Sequence, residues 1–117
     1  MPVINRSFQT VANESFNGQN LSDPNDFSRF VSSVLTNVQF QGTILQYVDF
    51  QAASLTNVDF SPFNSVSADL TGAKFNLTSM SNVNFTQTTM VGANLFKANA
   101  LGINLSGANL SGATTNL

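Results

Sequence analysis

The chain has no cysteine, no histidine and no tryptophan, and it is poor in charge, with four bases and six acids among 117 residues. Each shortage removes a class of chemistry. Without Cys there is no disulfide framework and no thiolate metal site. Without His, the commonest general base and the commonest metal ligand are both missing. No cofactor is therefore expected, and a hydrolase or metal enzyme is disfavoured. Charged residues make up 9% of the chain, against about a quarter in an average domain. The polar surface must be built from Asn, Gln, Ser and Thr instead. A net charge of −2 is too small to steer a strongly charged partner. Arg6, Arg29, Lys74 and Lys97 are scattered along the sequence, which argues against a nucleic-acid groove. No apolar run approaches the ~18 residues of a membrane span, and no membrane partner is expected. Met1–Thr10 lacks the apolar core of a secretory signal, so the expected location is cytoplasmic. The triplets Asn76-Leu77-Thr78 and Asn104-Leu105-Ser106 match a glycosylation acceptor. A repeat that sets Asn before Leu and Ser or Thr after it produces them by itself.

What the chain does have is a period of five. Leu35, Phe40, Leu45, Phe50, Leu55 and Phe60 are followed, after Ser65, by Leu70, Phe75, Met80, Phe85, Met90, Leu95, Ala100, Leu105 and Leu110. Two residues before most of them stands something small or β-branched, as in Val38, Thr43, Val48, Ala53, Val58, Ala68 and Ala73. Five matches neither the 3.6 of a helix nor the 2 of a flat strand. It suits a chain that turns a corner every five residues. Seventeen such units fill 33–117, ending in Ile103-Asn104-Leu105-Ser106-Gly107 and Ala108-Asn109-Leu110-Ser111-Gly112.

These units resemble those of the pentapeptide-repeat family, over roughly three quarters of the chain. The resemblance implies an all-β fold, a right-handed four-sided parallel β-helix with one unit per side and four per coil. Segment 35–117 would make about four coils, with rungs about 4.8 Å apart. The large third residue and the small first residue of each unit point inward. Strict spacing of 20 gives four inward stacks. They are Leu35/Leu55/Phe75/Leu95, Phe40/Phe60/Met80/Ala100, Leu45/Ser65/Phe85/Leu105 and Phe50/Leu70/Met90/Leu110. In the unit of Ser65, large and small are exchanged with Phe63, which keeps the volume. Pro62 lacks a backbone donor and predicts a bulge at that corner.

Residues 1–34 are out of phase with this frame and are read as an N-terminal cap. Val11, Phe16 and Leu21 suggest a partial coil. Asp23-Pro24-Asn25-Asp26 offers an N-cap, a first-turn Pro and a favourable first-turn acid. Phe27, Phe30, Val31 and Val34 then follow helical spacing, which predicts a short amphipathic capping helix at about 24–34. In the competing reading Phe30 is an inward repeat residue, leaving Val31 and Val34 exposed. No comparable cap follows the C-terminal units. Ile103, Leu105, Leu110 and Leu117 are thus a candidate end for a homodimer through the C-terminal coil.

The strict spacing puts Asp49 and Asp69 one coil apart on one face, where two carboxylates could act together. No third acid extends the row, and acids before the inward residue belong to the repeat. Among outward positions, Leu77, Phe96 and Leu101 are apolar, beside Lys97. They form the candidate contact for a protein partner whose identity the sequence does not give. The family resemblance implies a bacterial, especially cyanobacterial, setting and most often a non-enzymatic protein-binding scaffold. The alternative is a DNA mimic that binds a type II topoisomerase such as gyrase, which needs a long acidic face that six acids do not supply. Ice binding needs continuous Thr ladders, and the strict spacing breaks them at Asn76 and Phe96.

Overall fold

The computed structural model describes residues 3–115. Five short strands pair in parallel in chain order: β1 (Thr10–Ala12), β2 (Val34–Thr36), β3 (Ser54–Thr56), β4 (Ser79–Ser81) and β5 (Asn99–Leu101). Four turns of chain separate the first from the last. The three other sides stack through single parallel bridges such as Arg29↔Asp49, Gln39↔Asp59 and Thr89↔Asn109. The result is the expected right-handed, four-sided parallel β-helix.

The sides are numbered in chain order; among the described residues sides 2, 3 and 4 have five rungs each, and side 1 has a sixth at Thr114. Side 1 carries Arg6, Phe30, Phe50, Phe75 and Leu95 at its central inward position. Side 2, the side of the strands, carries Val11, Leu35, Leu55, Met80 and Ala100. Side 3 carries Phe16, Phe40, Phe60, Phe85 and Leu105, and side 4 carries Leu21, Leu45, Leu70, Met90 and Leu110.

The local chemistry of one unit explains the corner. In Val48-Asp49-Phe50-Gln51-Ala52, Val48 and Phe50 are fully buried. The Asp49 carboxylate accepts the Gln51 N–H at 2.9 Å, and the Phe50 carbonyl accepts the Ala53 N–H at 3.0 Å. Ala52 sits at φ 58, the third position of a type II turn, where φ must be positive. Asp59, Asp69, Asn84, Asn94, Asn104 and Asn109 make the same bond to the N–H two residues on. Asp and Asn before the inward residue are thus turn-forming groups. The corner between sides 2 and 3 uses Asn itself at positive φ. Asn57 donates to Asn37 at 3.1 Å and Asn37 to Asn13 at 3.3 Å, a column of amides along the edge.

The register departs from a uniform 20 in two places. Val11 lies under Leu35, an offset of 24, and Leu55 lies under Met80, an offset of 25. Elsewhere the offset is 20, as between Leu35 and Leu55. Each departure is an insertion that leaves the ladder as a tight turn. In one, Asp23 pairs antiparallel with Asp26. In the other, Phe63 pairs antiparallel with Val66.

Three sequence expectations change as a result. The helix at 24–34 does not form. Asp26 N–H bonds the Asp23 carbonyl at 3.2 Å in a turn, and Phe30 is fully buried as a repeat residue while Val34 is exposed. The extended ladder satisfies Phe30 N–H through the Asp49 carbonyl at 2.7 Å, a bond an isolated helical turn would forgo. Ser65 and Phe63 are not exchanged within the core. Ser65 is exposed and Phe63 is half-buried outside it. The stacks beyond Phe60 also move by one side, so Phe60 stacks on Phe85 rather than near Met80.

The corrected register sorts the core by residue type. On side 3, Phe16, Phe40, Phe60 and Phe85 stack face to face at 5.1, 5.2 and 5.1 Å. On side 1, Phe30, Phe50 and Phe75 stack at 5.0 and 5.1 Å. The two columns meet edge to face at 5.5–6.2 Å. The edge-to-face contacts are favoured by the ring quadrupole, and the parallel stacks follow the spacing of the rungs. Leu and Met fill the remaining two sides. The N-terminal end is closed by charge. Arg6 pairs with Glu14 at 2.9 Å and lies 5.8 Å from the Phe16 ring centroid. Its guanidinium covers the aromatic column while keeping contact with water.

Candidate functional site

A solenoid of identical corners offers a uniform surface, so function has to reside where the surface departs from the repeat. Among the described residues eight large hydrophobic side chains are exposed, and they fall into two groups.

The first group follows the edge between sides 1 and 2. Leu77 stands on that corner in rung 4. Phe96 lies beside the corner in rung 5, Lys97 on it, and Leu101 on side 2 in the same rung. The Leu77 N–H donates to the Phe96 carbonyl at 3.0 Å, and Lys97 Nζ lies 5.3 Å from the Phe96 ring centroid. Leu77, Phe96 and Leu101 are 55%, 42% and 72% exposed. Phe8 stands on the same corner in rung 1, and Val34 lies on side 2 in rung 2. Phe8 and Leu77 hold φ 62 at this edge, a conformation that is unusual for bulky residues. The fold requires only a turn here, and Gly or Asn serves at other corners. An exposed bulky side chain at positive φ gains nothing locally.

The second group surrounds side 4 and was not visible in the pentad pattern. The Asp23–Asp26 turn stands at the corner between sides 4 and 1. The Phe63–Val66 turn stands at the corner between sides 3 and 4. Both insertions therefore border side 4. Phe63 packs outside the core over Gly18 and Gly42. Beside the first turn, Asn20, Ser22, Asp23, Pro24, Ile44, Gln46 and Asp69 line a depression of about 370 Å³. A second lobe of about 290 Å³ adds Asn25, Asp26, Phe27 and Tyr47. Ile44 and Tyr47 are its exposed apolar residues, while the exposed Val66 stands on the Phe63–Val66 turn outside its lining.

The charge of this groove is negative, since its lining holds carboxylates and no base. Asp26 is bound at 2.7 Å to Arg29. The Phe27 backbone N–H, and then Arg29, hold its carboxyl below the usual carboxylate range. Arg29 and Lys74 in turn face the Phe27 ring at 4.3 and 5.6 Å. Asp69 accepts bonds from Gln46 and Thr71 at 2.9 and 2.6 Å. Asp49 and Asp69 do not share a face. Asp49 lies on side 1 between Arg29 and Lys74, and Asp69 on side 4 between Ile44 and Thr89. The five-residue insertion moves Asp69 one side on, so the paired-carboxylate expectation is withdrawn. Among the described residues no cluster of acids has the make-up of a metal site. The outward Thr36 and Thr56 continue as Ser81 and Leu101, rather than as Asn76 and Phe96.

Ile103, Leu105 and Leu110 line the C-terminal end and are partly buried against the core. Leu117 lies outside the described residues.

The family model for pentapeptide repeats matches eight copies, over residues 32–61, 66–99 and 90–114. The chain belongs to the pentapeptide-repeat family. The gap at 62–65 falls within the second insertion, so this family's repeat and the observed ladder are interrupted at the same place. Among solved structures the chain is similar to a pentapeptide repeat protein from the thylakoid lumen of Arabidopsis thaliana. The two are 33% identical, with a TM-score of 0.74 over 86% of this chain and 63% of that one. It is also similar to HetL of Nostoc sp. strain PCC 7120, a pentapeptide repeat protein involved in heterocyst differentiation regulation. There the identity is 20% and the TM-score 0.72, over 89% of this chain and 48% of that one. This pentapeptide-repeat chain thus spans about two thirds and half of the lengths of these two proteins. No curated protein matches it.

Proposed function

We propose that this protein is a non-enzymatic scaffold that binds another protein through the edge between sides 1 and 2. The observation that carries this is the contiguous exposure of Leu77, Phe96 and Leu101 beside Lys97. Grouped apolar side chains on a surface mark contact sites. The rigid ladder beneath them means that little ordering is needed on binding. The acids favour this reading over DNA mimicry. Glu14 and Asp26 are in ion pairs, and Asp49 sits between two bases. Asp59 and Asp69 lie on different sides, and Asp69 has only Asp23 beside it in the side 4 lining, so no face carries a long row of negative charge.

The test is cross-linking in the source cells with the natural protein, Phe96→Asp, and Asn109→Asp as a control on side 4. A partner retained by the natural protein and the control but lost from Phe96→Asp, at unchanged melting temperature, is the expected result. Identical partner sets for all three proteins would sink the proposal.

A further inference from the structure

The two groups of exposed apolar residues differ in charge and lie on different faces of the prism. The edge between sides 1 and 2 holds Leu77, Phe96, Leu101 and the base Lys97. The groove on side 4 holds Ile44 and Tyr47 with Asp23 and Asp69. One is a convex ridge and the other a depression walled by the Asp23–Asp26 turn. We infer that a second copy of this chain is the occupant of the groove: the ridge of one molecule seats in the side 4 groove of the next.

Three features support the match. The signs are complementary, with Lys97 on the ridge facing Asp23 and Asp69 of the groove lining, while Asp26 is held by Arg29. Shape is complementary as well. The ridge projects because Leu77 and Lys97 occupy corner positions at φ 62 and 56. The groove is recessed because the Asp23–Asp26 turn rises beside it. Both surfaces also repeat at the same rung spacing of about 4.8 Å, so two solenoids lying side by side remain in step. The ridge and groove are different surfaces, so the contact is heterologous. Each molecule in contact keeps one ridge and one groove free, and rows can grow. This inference rests on the reading of the Phe96 edge as a contact surface and names its partner.

The experiment is sedimentation equilibrium of the 117-residue protein over a concentration series, at low and high salt. Phe96→Asp removes the ridge, Tyr47→Asp removes the groove, and Leu105→Lys disrupts the C-terminal end. The natural protein is expected to exceed a dimer as concentration rises and to dissociate with added salt. Phe96→Asp and Tyr47→Asp alone should each remain at the monomer mass of 12.5 kDa. Mixed in equal amounts, they should form a species of twice that mass and nothing larger, because only one productive contact survives. Circular dichroism of each variant checks that it is folded. A natural protein that is monomeric at every concentration would overturn the inference, leaving the wider reading to the cross-linking experiment. Association that persists in either single variant, or that only Leu105→Lys abolishes, would also overturn it.

Discussion

Replacing Phe60 by Ala is expected to destabilise the protein by about 3–5 kcal/mol, the range for removing a large buried aromatic. Phe60 lies at the middle of the aromatic column. It stacks on Phe40 and Phe85 at 5.2 and 5.1 Å and meets Phe50 and Phe75 edge to face at 6.1 and 6.2 Å. The narrow core has one large residue per side per rung, so no neighbour can refill the space without leaving its own rung. Stability in a solenoid is close to a sum of each unit and its nearest neighbours. The loss should therefore appear in full as a lower urea midpoint. Phe96→Ala, on an exposed ring, should change that midpoint by no more than the roughly 0.5 kcal/mol typical of surface substitutions. Equal effects at the two positions would contradict the inward assignment.

The second large effect is expected at Gly42. Its φ of +62 already penalises a side chain, by roughly 1–2 kcal/mol. An added Cβ would also stand 2.8 Å from Phe63 Cβ and 3.0 Å from the Val66 carbonyl oxygen. Neither atom is the end of a flexible side chain, so the whole Phe63–Val66 turn must move. Gly92 has a similar φ of +69 and nothing within 4 Å. Gly92→Ala should show the backbone cost alone, and Gly42→Ala that cost plus the displaced turn. The difference between the two urea midpoints measures how firmly the second insertion is packed. Two equal midpoints would mean that the turn is not held against the corner.

The repeat itself was legible because its physics is local. A large residue every fifth position, with a small one two before it, specifies both the inward direction and the corner. The insertions were harder to read, since a five-residue insertion preserves the five-residue phase. Ser65 remains on the count of fives although its unit is outside the ladder. A finer signal was present. Phe and Leu or Met alternate from Leu35 to Met90 only if the unit of Ser65 is skipped, and that alternation is what places Phe on Phe along sides 1 and 3. The spacing of nine from Leu21 to Phe30 is a similar mark. There the Asp-Pro-Asn-Asp sequence suits a tight turn as well as a helix start, and the ladder bonds open to Phe30 decided for the turn.

The candidate contact was half legible. Leu77, Phe96, Lys97 and Leu101 could be recognised as outward residues within single units, and all four lie together at one end of one edge. The groove could not be found this way. Its wall comes from the Asp23–Asp26 insertion, and its floor joins Ile44 to Asp69 through an offset of 25 that the uniform spacing does not contain. Long-range register, rather than side-chain type, was the missing quantity.

Register is also the claim on which the groove, the aromatic columns and the separation of Asp49 from Asp69 depend. It can be tested by cross-linking, because the chain has no cysteine of its own. Asp59 pairs with Asn84 across rungs 3 and 4, and directly stacked positions fall within the Cα separation of about 4.4–6.8 Å that a disulfide needs. The measurement is the extent of disulfide formation in Asp59→Cys/Asn84→Cys against Asp59→Cys/Ser79→Cys, under the same mild oxidation. The insertion predicts rapid closure of the 59–84 pair and none of the 59–79 pair. Preferential closure of 59–79 would restore a uniform spacing of 20 and contradict the account.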